Sequence, residues 1–269
     1  MRIFAIHDKE IELNNCIGYL FFFERSNEFI IELHSDLDEW TAPLLFSSLV
    51  KKGIYTIPKD ISRLWVEERV IPTGRQNIGM ILKNAKLTKY SEGRLLALSD
   101  GRSSQDSCYI SEVTEESLPE WVKDRQRDNI FEAFPIVDNR VICLLNNDTV
   151  IEVDLEKCTD SIPKLKTILS NDRIISTLSV DAGGYGITFN GSIYVDKRTL
   201  IEQGIILPIY ASVFTDFASH CVVNTTEACS ILGCTRQNLN YFVKNNILRP
   251  IKDTWRENVF LRGDVTSMD

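Results

Sequence analysis

The sequence predicts an α+β fold class spread over several domains: an N-terminal α+β domain at residues 1–115, a small central α+β domain at 130–205 and a C-terminal helical module at 220–269. Three observations carry this reading. Short β-type runs such as "RIFAI", "EFIIELH" and "RVICLL" alternate with segments whose apolar residues recur at helical spacing. A charged stretch, "SEVTEESLPEWVKDRQRDN", interrupts that pattern between about 112 and 129 and reads as a linker with Trp121 as its only large anchor. The chain has 269 residues, 43% of them hydrophobic, which suits two or three modest cores.

In the N-terminal domain, "APLLFSSLVKKG" reads as a helix: Leu45 and Leu49 share a face and Gly53 offers a cap. "PKDISRLWVEERVIP" is a second, bracketed by Pro58 and Pro72, with Ile61, Leu64 and Trp65 along one side. "GRQNIGMILKNAKL" is a third, with Ile78, Ile81 and Leu82 at the same spacing. "GRLLALSDGRSSQDSCYISEV" reads as two apolar runs around an Asp100-Gly101 hairpin turn. The loop "SDGRSSQD" groups Asp100, Arg102 and Asp106 and is read as a solvated polar loop.

In the central domain, "RVICLLNNDTVIEVDL" is a hairpin around Asn146-Asn147-Asp148, with Ile151 and Val153 alternating against Glu152 and Asp154. "IPKLKTILSNDRI" is a short helix, and "TLSVDAGGYGITFNGSIYVDKRTLIEQG" is a strand pair around Gly183-Gly184 followed by a helix closed by Gly204. The segments "NNDTVIEVDL", "KTILSND", "LSVDAGGYGITFN" and "IYVDKRTLIEQG" occur in an order that resembles the bacterial domain-of-unknown-function 2442 family across residues 135–204, with Phe189 where a Trp is commoner. That resemblance implies a fold and no catalytic residues. Members often lie near toxin–antitoxin-like genes.

"ILPIYASVF" bridges into the C-terminal segment. There, Asn224, Thr225 or Thr226 caps a helix whose first turn holds Glu227 and whose apolar face is Ala228, Ile231 and Leu232. Gly233 ends it, Thr235 caps a second helix, and Leu239, Phe242 and Val243 repeat the inward face. Ile247 and Leu248 are expected to close the core before Pro250. Two short amphipathic helices across a glycine turn form a helix-turn-helix, whose second helix enters the major groove tip first. That tip presents Arg236, Gln237, Asn238 and Asn240, side chains suited to guanine and adenine edges. Tyr241 and Lys244 follow one turn later, within reach of phosphates. The remainder, "LRPIKDTWRENVFLRGDV", reads as a β-hairpin wing carrying Arg249, Lys252 and Arg256 and ending in an Arg-Gly-Asp-Val turn.

Residues 224–265 resemble the winged helix-turn-helix of the MerR and phage excisionase type. Thr226, Glu227, Ala228, Leu232, Gly233, Thr235, Arg236, Leu239, Leu248, Asp264 and Val265 fit its pattern. Cys229 and Cys234 stand for small buried residues, and Asn246 takes the usual glycine place before the wing. The resemblance implies a bacterial or phage DNA-binding transcription regulator. Its partner is double-stranded DNA, and its upstream domains sense a signal or form a homodimer. The other open reading is a protein-interaction module, antitoxin-like or an adaptor, without DNA binding.

"GRQNIGMILKNA" and "TRQNLNYFVKNN" share Arg-Gln-Asn and a later Lys-Asn. The first copy (Arg75, Gln76, Asn77, with Lys83) is read as structural, since helix starts favour polar caps and helix tails favour lysine. The net charge of −8 argues against a protein that coats nucleic acid over its whole surface. Residues 224–269 hold six basic and five acidic residues, net +1, which leaves −9 on residues 1–223.

Seven cysteines without a C-x-x-C, and three histidines that form no cluster, read as reduced, mostly buried thiols in a cytoplasmic protein with no metal site. The most apolar run, "CIGYLFFF", is far short of the ~20 residues of a membrane span. Charges inside "MRIFAIHDKE" speak against an export signal. Nucleotide-binding, nucleophile-elbow and zinc-protease motifs are absent from the sequence, so neither an enzyme nor a cofactor is expected.

Overall fold

The computed structural model describes residues 1–11, 16–253 and 257–268. It is a mixed α+β structure with several separate antiparallel sheets. The chain forms two compact units: Met1–Asn129 with Asp181–Gly186, and Ile130–Val180 with Ile187–Asp269.

The first unit is built on β1 (Arg2–Asp8), β2 (Cys16–Phe23) and β3 (Glu28–Leu33), followed by α1 (Leu44–Val50), β4 (Thr56–Ile57), α2 (Lys59–Glu67), α3 (Ile78–Asn84), α4 (Glu92–Leu98), β5 (Cys108–Val113) and α5 (Glu120–Arg127). The sheet order is β4-β3-β2-β1-β5, antiparallel throughout. One face carries Phe4, Ile6, Leu20, Phe22, Phe29 and Ile31 against Phe46, Trp65 and Leu96 of the helices. The other face carries Ile3 and Phe21 against Leu118 and Val122. Cover on both faces is why the strands are nearly continuous in apolar residues instead of alternating.

Several expectations are corrected here. The stretch read as a linker contains α5, with Val122 fully buried and Leu118 nearly so. Leu118, Trp121 and Val122 make the contact at helical spacing inside a charged composition. "GRLLALS" is the helix α4, not a strand; Asp100 (φ 49°) and Gly101 (φ 61°) then turn the chain toward β5. In α2 the buried residues are Ser62, Trp65 and Val66, while Leu64 is exposed. The Ser62 hydroxyl accepts from the amide of Ile31 and donates to the carbonyl of Ile57, so it completes the strand edge. Arg75, Gln76 and Asn77 precede α3 in an exposed turn, and α3 itself buries no residue.

The polar loop also has a structural task. Asp106 pairs with Arg69, whose guanidinium is fully buried over the Trp65 ring, 3.7 Å from its centroid, and donates to the Trp65 carbonyl at 3.0 Å. A second buried charge, Glu32, accepts from Thr56 Oγ1 at 2.8 Å and from Arg125 Nη1 at 3.2 Å. Asp181–Gly186 adds its own contacts. Lys59 Nζ bridges Asp181 (2.9 Å) and Glu28 (3.1 Å), and Asn129 Nδ2 donates to the Gly183 carbonyl at 2.8 Å. Tyr185 is buried, and burial followed by the Glu32 carboxylate holds its phenol well above the ordinary tyrosine range. Gly183 has φ 70°, and a Cβ there would lie 2.4 Å from the Phe23 ring, so only glycine fits.

The second unit contains β6 (Ile130–Ile136), β7 (Arg140–Leu145), β8 (Thr149–Asp154), α6 (Asp172–Ile175), β9 (Ser179–Val180), β10 (Gly186–Phe189), β11 (Ile193–Asp196), α7 (Lys197–Gln203), β12 (Ile205–Tyr210) and α8 (Ala211–Cys221). Then follow β13 (Val222–Asn224), α9 (Thr225–Ile231), α10 (Arg236–Lys244), β14 (Lys252–Asp253), β15 (Asn258–Leu261) and α11 (Arg262–Thr266). Its sheets run β12-β8-β7-β6, β11-β10-β9 and β13-β15-β14. The β7–β8 hairpin has Val150, Ile151 and Val153 buried, with Glu152 and Asp154 only partly so. Val141, Cys143, Ile151, Val153, Ile187, Phe189 and Leu200 meet in one core. "IPKLKTILSNDRI" forms a 3-10 turn (Pro163–Thr167) and the single turn α6, not one helix, because Asn171 caps a fresh start by accepting from the amides of Arg173 and Ile174. "ILPIYASVF" is not a plain bridge: it is edge strand β12 and the first turn of α8. No helix among the described residues is long and apolar enough to cross a membrane.

Removing the partner of a buried ion leaves a charge with no solvent around it. Asp106→Ala is therefore expected to destabilise the first unit by about 3 kcal/mol, measured by urea unfolding of the full chain. A loss well under 1 kcal/mol would show that Arg69 does not depend on this carboxylate.

Candidate nucleic-acid interface

The C-terminal module is organised by backbone caps. Asn224 Oδ1 accepts from the amides of Thr226 (2.8 Å) and Glu227 (3.0 Å), and Glu227 Oε2 accepts in return from the amide of Asn224 (2.8 Å). This reciprocal pair starts α9. Gly233, at φ 59°, ends it: the Gly233 amide donates to the Ser230 carbonyl (3.4 Å) and the Cys234 amide to the Cys229 carbonyl (3.1 Å). Thr235 Oγ1 then accepts from the amide of Asn238 at 3.3 Å and starts α10.

Inside the module, Ala228, Leu239, Leu248, Phe260 and Val265 are buried together, with Phe242 and Val243 packed against them. Two expectations change here. Ile247 does not close the core and is exposed; Leu248 alone does so. The Arg-Gly-Asp-Val segment is not a turn but the start of α11, which sends Val265 into the core. The antiparallel pair β14–β15 gains a third strand, β13, paired along Val222–Asn224. Thr225 ties that sheet to α9, its hydroxyl bonding both the carbonyl and the amide of Asn258.

Leu239 points inward, so its neighbours point out. Gln237, Asn238, Asn240, Tyr241 and Lys244 are all exposed, and no side-chain hydrogen bond to a described residue occupies the amides of Gln237, Asn238 or Asn240. Arg236 is exposed as well, but its Nη2 donates to Thr226 Oγ1 at 2.8 Å, a link from α10 back to α9 that sequence reasoning missed. Thr235 caps α10 through its hydroxyl. Arg249 is exposed beyond the helix, and Lys252 is exposed on β14 opposite Val259. Arg256 lies outside the described residues.

No family model, curated protein or solved structure matches the chain. What speaks for a surface that meets nucleic acid is therefore chemistry and geometry. The tip of α10 combines one guanidinium with three amides, groups that donate and accept in the fork pattern base edges require. The first Arg-Gln-Asn copy differs in register: it lies in the turn before α3, whereas Arg236, Gln237 and Asn238 form the first turn of α10. Equal letters thus give different presentation. Elsewhere, a cavity of about 230 Å³ in the first unit is lined by Cys16, Tyr19, His34, Asp36 and Trp121 among others, where the His34 ring meets Trp121 edge-on at 5.1 Å. Among the described residues no group of three or more potential metal ligands gathers.

A Cβ added at Gly233 would meet nothing within 4 Å, so the left-handed φ is its only constraint. Gly233→Ala is expected to cost about 1–2 kcal/mol of local stability, read as faster amide hydrogen exchange across α9 and α10. Gly233→Asn is expected to cost less, since asparagine tolerates this conformation.

Proposed function

We propose that this chain is a DNA-binding transcription regulator of bacterial or phage origin that acts in the cytoplasm. The second helix of its C-terminal helix-turn-helix, α10, enters the major groove. One observation carries the reading: the module folds through Ala228, Leu239, Leu248, Phe260 and Val265, and leaves Gln237, Asn238 and Asn240 exposed without a structural task. Amides placed so cost nothing to the fold and suit adenine edges. Tyr241, Lys244, Arg249 and Lys252 flank the tip and are assigned to phosphates. Arg256 belongs to the same proposed set. The resemblance to the MerR and excisionase type is consistent with the three-stranded sheet behind the helix pair.

A net charge of only +1 on residues 224–269 neutralises few phosphates, so one module binds weakly and two are required. The proposal therefore includes a homodimer on two half-sites, with the region resembling the 2442 family and the N-terminal unit as the sensing or dimerising parts. The second reading, docking of a protein partner in the manner of an antitoxin or adaptor, is favoured by apolar exposure along β12 and α8, where Ile206, Tyr210, Val213 and Phe217 face solvent.

A gel-shift of the purified chain against DNA from its own upstream region tests this. Gln237→Ala with Asn240→Ala is expected to weaken specific binding by at least about tenfold, because each good base contact contributes ~1–3 kcal/mol of discrimination. Lys252→Ala is expected to weaken binding equally on every sequence and to flatten the salt dependence. Wild-type retardation by the double amide variant, or a stoichiometric protein partner co-purifying with no DNA retained, counts against DNA reading.

A further inference from the structure

We infer that Cys229 and Cys234 form a redox pair, which hydrogen peroxide closes into an intramolecular disulfide across the turn between α9 and α10. The turn geometry brings them together. In a helix ended by a left-handed residue, the third residue from the helix end and the second residue past the cap are bonded through their backbones, and their side chains frequently pack together. In most proteins that contact is between two apolar groups. Here the left-handed residue is Gly233, the bonded pair is Cys234 and Cys229 at 3.1 Å (N–H···O), and the two residues at the contact positions are cysteines, both packed against the same core.

A direct backbone bond of this kind keeps two Cα atoms within roughly 6 Å of each other, inside the span a disulfide accepts. Both thiols are half-buried at the edge of the module's core and both remain reachable from solvent, unlike Cys108, Cys143 and Cys158, which are buried. Cys229 is held above the ordinary thiol range by burial and then by the neighbouring Cys234 thiol; Arg236 acts in the opposite sense.

The step balances. One thiolate attacks the peroxide oxygen, giving a sulfenic acid and water. The second sulfur displaces the sulfenic hydroxyl as a further water, so two S–H bonds are exchanged for one S–S bond and the peroxide accepts the electron pair. The sulfurs must then sit at ~2.05 Å with a Cβ–S–S–Cβ dihedral of about ±90°, which fixes the side-chain torsions of both residues and loads the turn between them. Cys234 directly precedes Thr235 and Arg236, the cap of α10 and its link to Thr226. The crosslink therefore acts on the segment that sets the register of the proposed reading tip. The regulatory consequence rests on the DNA-reading proposal; the disulfide does not.

The test uses the full chain, reduced and then treated with hydrogen peroxide. Cleavage after the acidic residues Glu227 and Asp253 separates Cys221 from the pair. The expected result is a 228–253 peptide lacking two hydrogens, restored by reductant and absent in Cys229→Ser and Cys234→Ser. In the oxidised chain the amides of the first turn of α10 are expected to exchange about tenfold faster, as a loosened cap allows. Where the reduced chain retards DNA, the oxidised chain is expected to bind about tenfold more weakly, while both serine variants ignore the oxidant. Intact thiols at 229 and 234, oxidation only to sulfinic acid, or unchanged exchange and affinity after the disulfide has formed would each overturn the inference. A reduced chain that binds no DNA removes the regulator reading instead and leaves the mass and exchange results to decide this one.

Discussion

The C-terminal module depends on one left-handed residue. Gly233 ends α9 with two backbone bonds, turns the chain, and delivers it to Thr235, so α10 starts at a fixed angle and register. That register puts Leu239 inside and Gln237, Asn238 and Asn240 outside. The same device closes the far end of α10: Asn246 has φ 55°, its amide donates to the Val243 carbonyl (3.0 Å), and the Ile247 amide donates to the Phe242 carbonyl (2.9 Å). A nine-residue helix has little stability of its own. Held between a threonine cap and an asparagine stop, with one fully buried leucine, it needs no long apolar stripe, and its outer face stays free for other work.

The first unit solves a different problem. Its sheet is covered on both faces, so polar groups that must cross the interior need partners of their own. Glu32 has Thr56 and Arg125, Arg69 has Asp106 and the Trp65 carbonyl, and Lys59 has Asp181 and Glu28. Ion pairs of this kind add little net stability over apolar replacements of the same shape, yet removing one member is costly. They hold particular segments in particular places. The pairing of Lys59 with Asp181, and of Asn129 with Gly183, is what joins Asp181–Gly186 to strands and helices far away in sequence.

Local rules recovered the elements whose signals are local. Asn224, Gly233, Thr235 and Asn246 act as caps and stops in the structure, as expected from their preferences for those positions, and the β7–β8 hairpin follows its turn residues. What escaped was set by packing. Charge dominates residues 114–128, so the apolar contacts of Leu118, Trp121 and Val122 were invisible until the sheet face beneath them was known. "LLAL" serves a strand or a helix equally, and only burial of Leu95 and Leu96 against the sheet decides. The two Arg-Gln-Asn copies differ by where a helix begins, a boundary matter on which composition is silent. The pairing of Cys229 with Cys234 was also missed: both were read as stand-ins for small buried residues, but both are half-buried and the Gly233 turn bonds their backbones to each other.

The charge distribution bears on how such a tip would select its site. A body carrying −9 repels a duplex at long range, and a module of +1 barely offsets this. For a chain that reads DNA as proposed, non-specific binding, which grows with the number of phosphates neutralised, would thereby be kept low. A tip rich in lysine and arginine would hold any duplex. A tip of amides gains little from phosphates and gains from base edges only when donors and acceptors match. On the DNA-reading proposal, with attraction so weak, discrimination would rest on the register of α10, and a displacement of its first turn would remove most of the binding. The turn that fixes this register is thus the place where a small chemical change has the largest effect, and it is where the two thiols lie.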